Sequence, residues 1–383
     1  MSETLHIFDS DGNVDFVYSI TDPKSIPDDN IKPELCNGVP AADFQTSGTG
    51  NQSAAAQQNG ERGEVPSNHD RRVRIRVSAK HLTLASPVWK RMFTGPWKES
   101  QKLAAGKRVE IVVEKSQEIE VDAMLTLMNV IHGRGRNIPR KVTLNALLEI
   151  AVLVDQYECY EVVDVMADIW IDKLLKGMPS AYGKDIVSWI FISWVFQRPL
   201  PFTSATKIAA TQSQQRIDPG DLPIPKRILD RIEEHRQDGV KSALDLSYEL
   251  IADLRDGRKY CSDVCDALSL GLLIKQLHAG GQLPPLPATS VPNVSLMQLT
   301  RILQNTSTVR YCDKSAVESY KPEPRYSDRT EERHVLSLHG CSLVPLIRPI
   351  LQDVQNRLRG FELREFKDES KASGGNDSTA SAQ

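Results

Sequence analysis

From Arg71 to Val77 the chain alternates strictly: Val73, Ile75 and Val77 are apolar, while Arg72, Arg74 and Arg76 are charged. A period of two predicts a strand with one face on a core and the other in water. The pattern then changes to helical spacing, with Leu82, Ala85, Val88, Met92 and Phe93 able to share one side of a helical pair. Pro87 restarts the helix at its first turn, where a missing N–H costs nothing. Alternation returns at Val109, Ile111 and Val113, predicting another strand. Met124, Leu127, Met128 and Ile131 then keep the i, i+3, i+4, i+7 spacing of an amphipathic helix. Leu144, Leu147, Leu148 and Ala151 repeat it, and Val162, Met166, Ile169 and Trp170 follow it approximately. Gly133 is placed to end the first of these helices in the left-handed conformation. Few strands and many helices define an α+β fold.

Upstream, residues 5–18 (LHIFDSDGNVDFVY) read as a hairpin turning at Asp11-Gly12-Asn13. Residues 21–70 lose all periodicity and are rich in Gly, Ser, Gln and Ala, so they read as a disordered insertion. A surface loop tolerates such length because closure entropy grows only logarithmically.

All five tryptophans lie between Trp89 and Trp194, whereas 13 of the 22 prolines lie after Phe196. That shift marks a second region of short helices cut by Pro-rich loops. The helices are expected around Ile228–Ile232, Ala243–Leu254, Val264–Leu277, Leu296–Leu303 and Ile350–Leu358, the last capped by Gly360. Trp189–Phe196 is denser in apolar residues than a surface helix needs, which suits an interface between the regions or a partner groove. The expected organisation is a first domain over 1–178 interrupted at 21–70, a helical region over 179–366, and a disordered tail over 367–383.

The motifs around the first strand, taken together, carry a resemblance. Val77-Ser78-Ala79-Lys80-His81-Leu82, Ala85-Ser86-Pro87-Val88-Trp89, Met92-Phe93 and Trp97-Lys98-Glu99-Ser100 occur in order. Ile131-His132-Gly133, Ile138-Pro139-Arg140 and Leu153–Cys159 follow. This series resembles the BTB/POZ domain, and in particular uncharacterised fungal proteins that carry one. The resemblance covers roughly residues 5–20 and 71–200. It implies a small sheet capped by helices, self-association as a homodimer, and a scaffold or protein-interaction role with further protein partners. Some members couple partners to cullin-type ubiquitin ligases, so a substrate adaptor is an alternative. The chain departs from the pattern in its long insertion and in Asn13, where many relatives have an acid. It also lacks kelch repeats and two-Cys/two-His fingers.

Composition narrows the field. The 383-residue chain is 25% charged and 40% hydrophobic with a net charge of −3, ordinary for a globular protein. MSETLHIFDS has no basic segment before an apolar run, and no uncharged stretch approaches the length of about 18 residues that a membrane helix needs. Six scattered cysteines suit reduced thiols or metal ligands. The expectation is an intracellular protein, cytoplasmic or nuclear, with no membrane partner.

Candidate chemistry is sparse. No GxxxxGK[ST], GxSxG or HExxH occurs, and nothing asks for an enzyme. His132-Gly-Arg-Gly-Arg136 reads as a solvated loop before it reads as an anion site. Residues 71–108 hold 11 Lys/Arg against Glu99 alone, a surplus that would steer a polyanion. Without interleaved aromatics, a nucleic-acid-associated regulator ranks third. The partner or dimer interface is assigned to Val88, Trp89, Phe93 and Trp97, apolar residues in excess of what a two-turn helix needs. The strongest metal set is Cys261 and Cys265, on one helical face, with His339 and Cys341. A Cys₃His group suits closed, structural zinc, although two buried reduced cysteines on a helix need no metal and the chain otherwise calls for no cofactor.

Overall fold

The computed structural model describes residues 3–20, 71–257, 259–260, 262–283, 293–304, 343–357 and 359–366. The protein is α+β and mostly helical, with one four-stranded sheet, and it divides into two units. The first comprises residues 1–84 and 88–133; the second comprises 85–87 and 134–383.

In the first unit, β1 (Glu3–Ile7), β2 (Val14–Ile20), β3 (Arg71–Val77) and β4 (Val109–Ser116) form a sheet in the order β1-β3-β2-β4. β3 lies parallel to β1 and antiparallel to β2, and β4 runs parallel to β2. The expected hairpin of residues 5–18 is therefore not one. A tight turn forms, with Gly12 N–H on the Asp9 carbonyl at 3.1 Å, but β3 inserts between the two strands it joins. The reason lies in burial. β3 sinks Val73, Ile75 and Val77 completely or nearly so, whereas β1 buries none of its five residues. The strand with the continuous apolar face takes the centre, and the half-polar one takes the edge.

The inner sheet face adds Val14, Phe16, Tyr18 and Val109. Over it come α1 (Ala79–Ala85), α2 (Pro87–Thr94), α3 (Lys98–Ala104) and α4 (Glu118–Ile131). α4 packs against β3 and buries the expected Met124, Leu127, Met128 and Ile131. Trp89 of α2 is fully buried, its ring 6.1 Å from that of Phe16. Gly133 takes φ +67°, closing α4 as its sequence position predicts.

The second unit is helical. It contains α5 (Leu144–Tyr157), α6 (Tyr160–Leu175), α7 (Lys184–Val195), α8 (Pro199–Gln212) and α9 (Lys226–Arg255). α10 (Asp263–Ala279), α11 (Leu296–Gln304), α12 (Val344–Arg357) and a 3₁₀ turn at Leu363–Phe366 follow. α5 packs on α7 and α6, and both α5 and α6 fall in this unit. α7, the Trp189–Phe196 segment, is the unit's central helix and packs on α5 and α8; Ile186 through Ser193 are all buried.

Three expectations for this region change. The two segments at 228–232 and 243–254 are one 30-residue helix, α9, because Gly239 is buried in its middle without breaking it. α8 starts with Pro199 and Pro201 in its first turn, where proline fits, so a stretch that reads as loop is helix. Gly360 does not cap α12. It is needed because a Cβ there would stand 1.8 Å from the Thr203 carbonyl oxygen. That close approach lets Thr203 Oγ1 donate to the Phe361 carbonyl at 2.9 Å and Thr206 Oγ1 accept from Phe361 N–H at 3.0 Å. Phe361 and Phe366 then bury against each other and Phe202, edge to face. A second cluster, built on Val240, Ala243, Leu273, Leu299 and Leu351, joins α9 to α10, α11 and α12.

The predicted insertion at 21–70 and tail at 367–383 lie outside the described residues. No helix among the described residues is long and apolar enough to cross a membrane.

Candidate interaction surface

Alternation along β3 sends its arginines to the face opposite the core, and neighbouring strands meet them with acids. Arg74 Nε donates to Glu3 of β1 at 2.7 Å, and its Nη1 to Asp15 of β2 at 3.2 Å and to Glu110 of β4. Arg76 grips Asp15 with two bonds, Nε to Oδ1 at 3.0 Å and Nη2 to Oδ2 at 3.4 Å. Arg108 Nε lies 4.0 Å from the same carboxylate and donates to the Gly12 carbonyl at 3.3 Å. Asp15 is buried beneath these groups. A buried carboxylate is tolerable only when charge and hydrogen bonds replace its water, which two guanidiniums do here. Glu110 and then Glu3 push the Arg74 guanidinium pKa further up, outweighing its partial burial.

The lattice ties all four strands together and accounts for much of the basic run. Arg71, Arg74, Arg76 and Arg108 all have acid partners within the unit, Arg71 on Glu118 at 3.4 Å. Apolar side chains interleave with it. Leu5 and Ile7 stand opposite Arg74 and Arg76 in the β1–β3 register, 46% and 45% exposed. Val112, on the far edge strand, is 59% exposed across from buried Val17. This outer face is rigid, charged in both signs and apolar at both margins. β1 has β3 as its only strand neighbour among the described residues.

The four interface residues named from sequence separate. Trp89 and Phe93 are buried in the first unit's own core and are not open to a partner. Val88 is partly exposed, and Trp97 is 58% exposed. Trp97 precedes α3, where Ser100 Oγ bonds its carbonyl at 2.9 Å. The burial of Trp89 follows from its helical phase: it shares a face with Phe93, four residues on, and that face meets the sheet.

The HGRGR loop is not organised as an anion site at its histidine. His132 Nε2 accepts from Ser78 N–H at 3.2 Å, and Nδ1 bonds the Met128 carbonyl at 3.0 Å, which sets the Nδ1–H tautomer. Beside it, Asn13 Oδ1 accepts from Ala79 N–H at 2.9 Å. An amide oxygen thus supplies the acceptor at the start of α1, which explains how Asn stands where the resemblance expects an acid. Of the zinc candidates, Cys265 is buried on α10, while Cys261, His339 and Cys341 lie outside the described residues. Among the described residues no group of three or more potential ligands forms.

The outer sheet face was not singled out from sequence. Its signal is present, however: Arg alternation on one strand and acids on the three others. No family model matches the chain, and neither a curated protein nor a solved structure matches it.

Proposed function

We propose that this chain is a protein-interaction scaffold that self-associates through its first unit, the outer face of β1 and β3 meeting a second copy. The observation that carries this is the pairing of half-exposed Leu5 and Ile7 with an edge strand that has a single neighbour among the described residues. Such an edge offers backbone donors and acceptors together with apolar side chains, the combination used when a strand is added from another chain. The charged lattice supplies fixed register instead of raw affinity. The resemblance to dimerising BTB/POZ domains points the same way.

Light scattering is expected to give twice the chain mass at micromolar concentration. The double variant Leu5→Glu/Ile7→Glu is expected to run as a monomer with unchanged helical circular dichroism. A wild-type monomer at that concentration, or a dimer unaffected by the variant, removes the reading.

A further inference from the structure

We infer that the second unit carries a docking cleft for a partner segment that presents a basic residue beside an apolar one. The cleft, about 570 Å³, lies between the start of α6 and the end of α7. Its walls alternate in kind: Trp194, Phe196 and Val165 are apolar, while Asp155, Glu161 and Asp164 are acidic. Val165 is 70% exposed, which a helix packed for its own sake does not require.

Of the three lining acids, only Asp164 pairs with the lining cation, Arg198. Arg198 is already held by Asp164 at 2.7 Å and by Asp168 at 2.6 Å. Asp155 accepts from the Tyr160 hydroxyl at 2.9 Å, which fixes both. That bond keeps the phenol protonated, and burial followed by the Asp155 bond pushes its pKa up. Glu161 has no ion pair among the described residues. Three carboxylates against one committed guanidinium leave the lining with net negative charge, the complement of Lys or Arg.

The backbone around the cleft is strained in a way that points to use. Among the described residues only Glu158 and Gln197 take positive φ without being glycine, at 51° and 53°. Gln197 lines the cleft, and Glu158 sits in the turn between the two lining residues Asp155 and Tyr160. At Gln197 the end of α7 closes with Arg198 N–H on the Ser193 carbonyl (2.9 Å) and Gln197 N–H on that of Trp194 (3.3 Å). Glycine is the residue that suits this helix ending. Glutamine keeps a side chain there: Nε2 donates to the Trp194 carbonyl at 2.5 Å, and Oε1 has no hydrogen-bond partner among the described residues. Backbone strain and a buried, unpartnered acceptor at one lining residue mark this wall as kept for a use other than the stability of α7.

This assignment is independent of self-association, because every residue in it belongs to the second unit. The test uses the full chain and a fluorescein-labelled peptide alternating arginine and leucine, followed by anisotropy. Saturable binding is expected with a dissociation constant on the order of 10–100 µM, weakening as salt rises. Glu161→Lys and Val165→Glu are each expected to weaken it roughly ten-fold. Glu234→Lys, the same charge reversal on exposed α9, is expected to leave it unchanged. Leu5→Glu/Ile7→Glu is likewise expected to bind as wild type, which separates this result from the dimer test. The assignment is overturned by no saturable binding at about 1 mM. Equal losses from Glu161→Lys and Glu234→Lys overturn it too, as does equal affinity for a peptide with serine in place of leucine.

Discussion

The two units solve the same packing problem with opposite use of charge. The first places a carboxylate, Asp15, on the outer face of its sheet and covers it with guanidiniums from β3, so that ion pairs cross between strands. The second builds its central helix, α7, almost wholly from apolar residues. Its buried hydroxyls turn back on their own helices, Ser193 on the Trp189 carbonyl and Thr206 on that of Phe202. Its most buried ion pair among the described residues, Arg236 with Glu233, lies three residues apart on a single helix. In the sheet, charge specifies which strand meets which; in the helical unit, shape packs the central helix and charge joins elements at its margins, as where Arg198 meets Asp164 and Asp168. A strand slipped by one residue would put Arg74 and Arg76 into the core, so the lattice fixes register as well as stability.

Breaking the lattice therefore has the largest expected effect. Asp15→Ala leaves Arg76 without a carboxylate partner and Arg74 with only Glu3 and Glu110. Because both arginines keep some exposure, the expected cost is about 2–3 kcal/mol, below that of a fully buried pair. Hydrogen exchange should show the loss on β2 and β3 while α7 keeps its protection. Equal loss in both units would mean that the lattice does not act locally.

A smaller effect tests the local pair. Burial alone would raise the Glu233 pKa, but hydrogen bonds from Arg236 and Gln237 outweigh it and hold the carboxyl below its ordinary value. A depressed folded-state pKa gives stability that is complete above the unfolded value and lost as pH falls through the folded one. The second unit's melting temperature should thus be flat at neutral pH and fall below the ordinary carboxylate range. The contribution of this pair is expected at about 2–4 °C. It is read as the part of that fall missing from Glu233→Gln, and an identical acid profile for the variant would remove the pair from the account.

How much of this was legible in the chain follows the same division. Period-two alternation at 71–77 and helical spacing at 124–131 and 144–151 marked β3, α4 and α5 because each buries one continuous stripe. Partner choice among strands was not legible, since the turn at Asp11-Gly12 reports a reversal and not the strand that later inserts. α8 was missed because Pro199 and Pro201 read as breakers when only their place in the first turn matters. The acidic half of the cleft was not legible for a different reason, although its apolar wall lies in the Trp189–Phe196 run that suits a partner groove. Its acids at 155–164 look like a solvated helix face, and the apolar wall at Trp194–Phe196 is some 30 residues away.

The finest comparison is of strain. Among the described residues, both non-glycine residues with positive φ belong to the second unit, and one of them lines its cleft. For an L-residue the left-handed conformation costs roughly 1–2 kcal/mol, so Gln197→Gly is expected to recover about 1 kcal/mol and raise the second unit's melting temperature by about 2–4 °C. The first unit's transition should not move. The same change removes the Gln197 side chain from the cleft lining, so a chain that melts later should bind the arginine–leucine peptide less well. Stability and binding moving in opposite directions is the signature of strain kept for a partner. If both rise together, Gln197 is merely a poor residue at a helix end.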